Sequence, residues 1–494
     1  MNINYTKTTM KTIYCSWNTL SALVALVVLA SGLAEVATTK KFEPRQLRED
    51  FQIARQSLEE GQPGLYRHTK KAELDRIFDE AEKSLDHPMD AYEFYRLMAP
   101  TIAAIKCGHT GVSTPPELRA EIESLPWLPF GVKVLDSKAY IFRDYAKGGV
   151  LAGKEIQSIN GVTSARIIST MVAASMKDGD VQTSRQRDIS GDFSANLLLL
   201  LGLRAPFEVV LRGPESSTSE KVQFAGLKHD EQIQISKRLY PHDEGSKHFA
   251  DLKFFDDGQI AHLTYSSFGT TVEEGHAFMQ RSFEAIHAKG SRALILDVRG
   301  NGGGEDELGK FLFSYLVDAP FIYYEDLIAT KLRFSFAKYT DPHRDLNIPE
   351  GVAELRSDGR VHLIKYDNLG LQQSSKPTFA GPVYVLIDGG CLSTTAEFLT
   401  EVHFRHRGTF IGEESAGCYY GPTSGDVVKI ALPNTKMGIF IPVVSYYMAV
   451  GGLHDHDPAR GIIPDYPVKR TITDLLAGTD RELETALQLA RKSR

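Results

Sequence analysis

Apolar residues recur along this chain in three different rhythms. Between residues 40 and 106 they follow the helical period: Leu47, Phe51, Ala54 and Leu58 form one stripe, and Leu74, Ile77, Phe78 and Ala81 another. Gly61-Gln-Pro-Gly64 and His87-Pro88 punctuate between them. From Trp127 to about Gly213 the texture changes to short runs that read as strands, at residues 131–135, 139–142, 155–161 and 207–211. The polar stretch 213–219 reads as a solvated turn. Beyond Phe249, the runs 260–264 and 293–297 enclose a helical stretch from Glu273 to Lys289, which predicts an α/β unit with a parallel strand pair. Leu308, Phe311, Leu312, Tyr315 and Leu316 then share one helical face.

These rhythms predict a multidomain α/β protein. The expected units are an N-terminal helical domain over 35–125, a β-rich domain over 126–215, a linker over 216–248, an α/β core over 249–475 and a C-terminal helix over 476–494. Ahead of them, Lys7 and Lys11 precede an apolar run from Leu20 to Ala34 that ends in Ser31-Gly-Leu-Ala34. Residues 1–34 therefore read as a signal peptide, and export to the periplasm or the extracellular space is expected. The run is shorter than the ~20 residues a membrane span requires, so an anchor is the weaker alternative. A chain of 494 residues with 42% hydrophobic content can bury several cores. The net charge of −7 is spread without a basic block, which argues against nucleic acid or an anionic membrane as a partner.

Two loops carry the candidate chemistry. In Ala293-Leu-Ile-Leu-Asp-Val-Arg-Gly-Asn-Gly-Gly-Gly304 a buried run breaks into glycines that expose backbone N–H groups, a shape suited to an anion or a developing oxyanion. Neither Lys-Ser/Thr nor the GxGxxG spacing of a phosphate cradle follows. The second loop lies in Pro382-Val-Tyr-Val-Leu-Ile-Asp-Gly-Gly-Cys-Leu-Ser-Thr-Thr-Ala-Glu-Phe398, where a strand gives way to a hydroxyl cluster and then a helix. Ser393, Thr394 and Thr395 there are either an ordinary N-cap or a nucleophile held at the helix start. Earlier in the chain, His109 lies in Cys107-Gly-His-Thr-Gly111 just after an apolar helix, where it could cap that helix or act as a base.

Asp297-Val-Arg-Gly-Asn-Gly-Gly-Gly304, Gly390-Cys-Leu-Ser-Thr-Thr-Ala-Glu-Phe398, Phe410-Ile-Gly-Glu-Glu-Ser-Ala-Gly417 and Arg460-Gly-Ile-Ile-Pro-Asp465 together resemble the tail-specific, C-terminal-processing serine peptidase family. The chain is most similar to the branch that includes the tricorn core and the retinoid-binding repeats of photoreceptor matrix protein. That resemblance implies a crotonase-like α/β core and an acyl-enzyme formed on Ser393, with Thr394 as the alternative nucleophile and Cys391 behind both. It implies an oxyanion hole from Gly302 or Gly303 with the N–H of Thr394, and His109 as general acid/base. Asp297 and Arg299 are expected to brace the loop. Gly153-Lys-Glu-Ile-Gln-Ser-Ile-Asn-Gly161 is similar to the strand and turn of PDZ domains. On that likeness Pro129-Phe-Gly-Val132 would be the carboxylate-binding loop, with Phe130 and Gly131 contacting substrate, unless the domain is only a spacer.

One departure sharpens the expectation. Ser–Lys members place a lysine after the Gly-Glu-x-Thr-x-Gly stretch, but Cys418 stands here, so the base must come from elsewhere, which favours His109. The orienting acid is expected at Asp457, with Asp455 and Glu414 as further candidates. His454-Asp-His-Asp457 could suggest a metal, yet alternate residues of an extended segment point oppositely, and neither a metal nor a cofactor is expected. Cys107, Cys391 and Cys418 are read as small buried hydrophobes rather than a disulfide or zinc site. The expected function is an exported serine endopeptidase or C-terminal-processing peptidase with peptide or protein substrates. The alternative is a catalytically silent peptidase-like protein that binds a peptide or a hydrophobic ligand.

Overall fold

The computed structural model describes residues 40–241, 249–349, 351–451 and 456–492. The expected signal peptide therefore lies outside the described residues. Among these residues no helix is long and apolar enough to cross a membrane.

The molecule is a mixed α/β multidomain protein built around a six-stranded sheet in the order Tyr466–Pro467, Thr409–Gly412, Val383–Ile387, Ala293–Asp297, Ile260–Tyr265, Ala250–Phe255. Every neighbouring pair is parallel except the last. All five residues of Ala293–Asp297 are buried because the sheet is covered on both faces. Leu294 and Leu296 join the large core that includes the Val272–Lys289 helix. Ala293 and Ile295 face Ala486 and Ala490 of the C-terminal helix Arg481–Lys492.

A second, antiparallel sheet is centred on the long strand Gly438–Met448. Its first member is Gly111–Ser113, which pairs with Gly438–Phe440. The N-terminal helices Pro44–Gly61, Lys71–Lys83 and Ala91–Ala103 bury Leu47, Phe51, Leu58, Leu74 and Phe78 in the same core as residues 250–462. The helical block that the sequence sets apart at 35–125 thus shares its hydrophobic interior with the α/β part. A stripe of apolar positions reports that a helix buries one face, but not against what.

Residues 128–224 have a core of their own. Five antiparallel strands in the order Phe130–Leu135, Lys138–Asp144, Glu155–Ile159, Phe207–Arg212, Ser219–Phe224 pack against the helices Ser164–Ala173, Gln182–Gly191 and Phe193–Leu201. The linker expected at 216–248 is corrected: Ser219–Phe224 pairs along its whole length with Phe207–Arg212, and His229–Leu239 is a helix. The strand escapes notice because it lies at the sheet edge, where only Phe224 is buried and Ser219, Glu220, Lys221 and Gln223 are polar.

Candidate active site

Asp297 stands opposite Leu386 in the parallel register, so the glycine loop and the serine turn leave the sheet side by side at the carboxyl ends of adjacent strands. They are pinned to each other. Leu392 N–H donates to Asn301 O at 3.2 Å. The buried Asp388 accepts from Gly300 N and Gly390 N through Oδ1, both at 2.8 Å, and from Arg187 Nη1 through Oδ2 at 2.6 Å. Arg187 comes from the Gln182–Gly191 helix, so the β-rich unit also grips this turn. Two glycines are required sterically: a Cβ on Gly390 would meet Gly300 Cα at 2.8 Å, and one on Gly304 would meet the Phe268 backbone at 2.1 Å.

Ser393 is the N-cap of the helix Thr394–Phe404, at φ 59° and ψ −129°. L-residues avoid this region at a cost of about 1–3 kcal/mol, and a strained strand-to-helix turn is one way of presenting a nucleophile beyond a sheet. Its hydroxyl makes no cap hydrogen bond. Thr394 is committed differently, its Oγ1 donating to Gly304 O at 2.8 Å and so bracing the glycine loop. The Thr394 N–H is among the donors a helix start leaves without an intrahelical acceptor. In the glycine loop, Gly303 N–H donates to Asn301 Oδ1 at 2.9 Å. Cys391 is fully buried with its thiol directed to Val298 O at 3.1 Å, and burial pushes that thiol well above its ordinary range, which removes it as a nucleophile.

Asp297 and Arg299 form a tight pair, and Arg299 continues to Asp480 and Glu482 at the C-terminal helix. Burial alone would raise the Asp297 carboxyl, but the guanidinium of Arg299 outweighs it and holds the group far below the carboxylate range.

His109 lies well beyond the end of the Ala91–Ala103 helix, so it does not cap it. The Gly111–Ser113 pairing with the long strand brings its loop to the serine turn: a Cβ on Gly108 would lie 3.4 Å from Leu392 Cδ1 and 2.9 Å from Asp178 Oδ2. Asp178 is 3% exposed and accepts Gly108 N–H at 2.8 Å. Ligand atoms of Cys107, His109 and Asp178 all lie within 4.8 Å of one another. Burial lowers the His109 imidazole below its ordinary value, with the Asp178 charge opposing that shift.

Of the acids expected to orient this histidine, Asp457 is exposed and closes its own turn by accepting Ala459 N–H at 2.9 Å. Glu414 is bound to Arg460 and to Gly461 N–H. Asp455 and His454 lie outside the described residues, and His456 stacks on Tyr419 with ring centroids 4.0 Å apart. Asp178 is the carboxylate beside His109, and sequence reasoning missed it because it arrives from the β-rich unit on the turn Lys177-Asp-Gly-Asp180. Asp388 and Asn301 were missed as well. Their sequence signal is a polar residue beside glycines, Asp388 directly after a strand and Asn301 within the glycine loop.

At the lysine position, Cys418 is a buried thiol 3.2 Å from His68 Nε2, and burial pushes it well up. The carboxylate-binding loop expected over 129–132 is corrected, since Phe130 opens the strand Phe130–Leu135 and buries its ring edge-on to Phe224. Gly131 pairs with Arg143 within the sheet. Neither residue is part of a loop: the alternation of Phe130, Val132 and Val134 toward the core is a strand pattern.

Residues 259–468 match the model of Peptidase family S41, a span that contains the glycine loop and Ser393 but not His109. No curated protein sequence matches the chain. Among solved structures, a serine-to-alanine mutant of CPAF superposes with a TM-score of 0.63 at 13% identity, over 91% of this chain and 98% of that one. Mature CPAF gives 0.62 at 15% identity over 91% and 98%, and mature CPAF complexed with lactacystin 0.60 at 15% over 90% and 98%. At such identities the likeness is one of fold, and it extends over nearly the whole chain. Residues 259–468, the segment that carries the glycine loop and Ser393, therefore form a Peptidase family S41 domain, and the match supports a serine-type peptidase.

Proposed function

We propose that this protein hydrolyses peptide bonds through an acyl-enzyme on Ser393, with His109 as general acid/base. The observation that carries the reading is the backbone of Ser393: a strained conformation at a helix start, with a hydroxyl that does not cap the helix. Such strain is kept where it presents a reacting group. A serine hydroxyl needs a base at neutral pH, and burial keeps the His109 imidazole neutral and able to accept the proton. Asp178 is positioned to hold the ring and to stabilise the imidazolium that forms. Gly302 or Gly303, together with the Thr394 N–H, would supply the oxyanion donors.

In this reading residues 128–224 act as a PDZ-like unit that receives the substrate's chain end, residues 249–475 as a crotonase-like core, and the protein is exported after loss of residues 1–34. The strand Phe130–Leu135 lies at the sheet edge with the Gln182–Gly191 helix packed beside it, an arrangement that suits strand addition by a peptide. Labelling by a serine-directed fluorophosphonate tests the mechanism. Labelling and peptide cleavage are expected in the wild type and neither in Ser393→Ala; undiminished labelling of Ser393→Ala would refute the assignment.

A further inference from the structure

The loop that delivers His109 also carries a thiol the peptidase chemistry does not use. Cys107 is buried, its thiol donating to Thr423 O at 3.4 Å. Across from it, Asp178 is 3% exposed, and among the described residues its Oδ2 has no partner within hydrogen-bond geometry, although the buried Cys418 thiol lies close to the same carboxylate. The Nδ1 of His109 is likewise buried and without a partner among these residues. A buried carboxylate oxygen and ring nitrogen left unpaired are costly, and each such group calls for an explanation. One donor atom from each of the three side chains falls within 4.8 Å of the other two. Thiolate, imidazole and carboxylate together suit zinc and similar thiophilic divalent ions, not magnesium or calcium, which take oxygen ligands. Tetrahedral zinc, with bonds of about 2.0–2.3 Å, separates its ligand atoms by about 3.3–3.8 Å, so modest side-chain rotation closes the set.

We propose that Cys107, His109 and Asp178 form an inhibitory site for a thiophilic divalent cation, with solvent in the fourth position. On binding, the Cys107 thiol loses its proton to solvent as the metal–sulfur bond forms. A neutral imidazole has one basic nitrogen lone pair; once it is given to the metal, the ring cannot accept the proton of Ser393, and Asp178 is withdrawn at the same time. The inhibitory consequence rests on the proposed role of His109, but the binding does not.

Binding and inhibition are therefore measured separately on the full reduced chain after treatment with a chelator. Calorimetry with zinc on Ser393→Ala is expected to give one site per chain, weakened at least a hundredfold in Cys107→Ser, with no uptake of magnesium. Cobalt added to the protein with Cys107 intact is expected to show the thiolate charge-transfer absorption of a cobalt–sulfur bond, a readout that does not depend on how the cysteine variant folds. Zinc is expected to slow fluorophosphonate labelling of the wild type at least tenfold, reversibly with a chelator. Absence of a stoichiometric site, or cobalt bound without the thiolate band, overturns the proposal. Binding as described in a protein without peptidase activity would leave the metal site standing and refute the catalytic reading alone.

Discussion

Asp388 offers the sharpest test of how the site is held together. Its side chain is 5% exposed, and one carboxylate oxygen accepts both Gly300 N–H and Gly390 N–H while the other meets Arg187. Hydrogen bonds to a charged group contribute about 1.5–3 kcal/mol each, so losing both backbone bonds in Asp388→Ala should cost about 3–6 kcal/mol of stability. The Arg187 side chain is 49% exposed, and that ion pair adds no more than about 1 kcal/mol. Asp388→Asn keeps an oxygen for the two N–H groups and loses only the charge interaction, so about 1–2 kcal/mol is expected to go. Catalysis should divide the same way. Without the brace the glycine loop and serine turn separate, and a misplaced oxyanion donor lowers turnover by about 10²–10³, whereas the asparagine variant should stay within about tenfold of wild type. Urea unfolding and the fluorophosphonate labelling rate measure the two effects. If the alanine variant is as stable and as fast as the asparagine variant, Asp388 does not organise the loops and the argument fails.

Thr394→Val, which keeps the N–H and loses the bond to Gly304, should retain fluorophosphonate labelling at a reduced rate; a complete loss would move the nucleophile to Thr394. Because burial lowers the His109 imidazole, the acid limb of labelling should lie below the ordinary imidazole value of about 6.5. Asp178 opposes that shift, so Asp178→Asn should move the limb to still lower pH while slowing turnover; a limb that moves upward would contradict the pairing. Burial and the neighbouring Asp306 raise Glu397 to about 8, where it accepts a hydrogen bond from Tyr324 at 2.6 Å. The folded state thus holds a proton that the unfolded chain releases above about 4.5, and the wild type loses stability as pH rises from there through about 8. Thermal melts should show Glu397→Gln gaining on the wild type across that window, and a constant difference would show that Glu397 does not titrate there. A peptide with a free apolar C-terminus should bind more tightly than its amide if residues 128–224 receive chain ends, and equal affinities would reduce that unit to a spacer.

The motifs alone identified the family and located both loops, because glycines that admit close backbone approach and a serine at a strand-to-helix turn are local requirements written over a few consecutive residues. The helical stripes of 40–106 and the buried run of 293–297 were legible for the same reason: periodicity records how many faces of an element leave water. Which partner covers each face is not recorded, and so the N-terminal helices proved to share a core with the α/β part. The edge strand Ser219–Phe224 was hidden because a half-exposed strand carries almost no apolar signal. Whether Ser393 caps its helix or stands free of it depends on a backbone torsion set by loops packed from elsewhere. The carboxylate beside His109 comes from a different unit of the chain, Asp178 instead of Asp457, and the loop that carries the histidine lies beside Leu392 while Gly111–Ser113 pairs with a strand more than three hundred residues later. Contacts between residues so distant in sequence are decided by which surfaces can be buried together, and no window of residues contains that information.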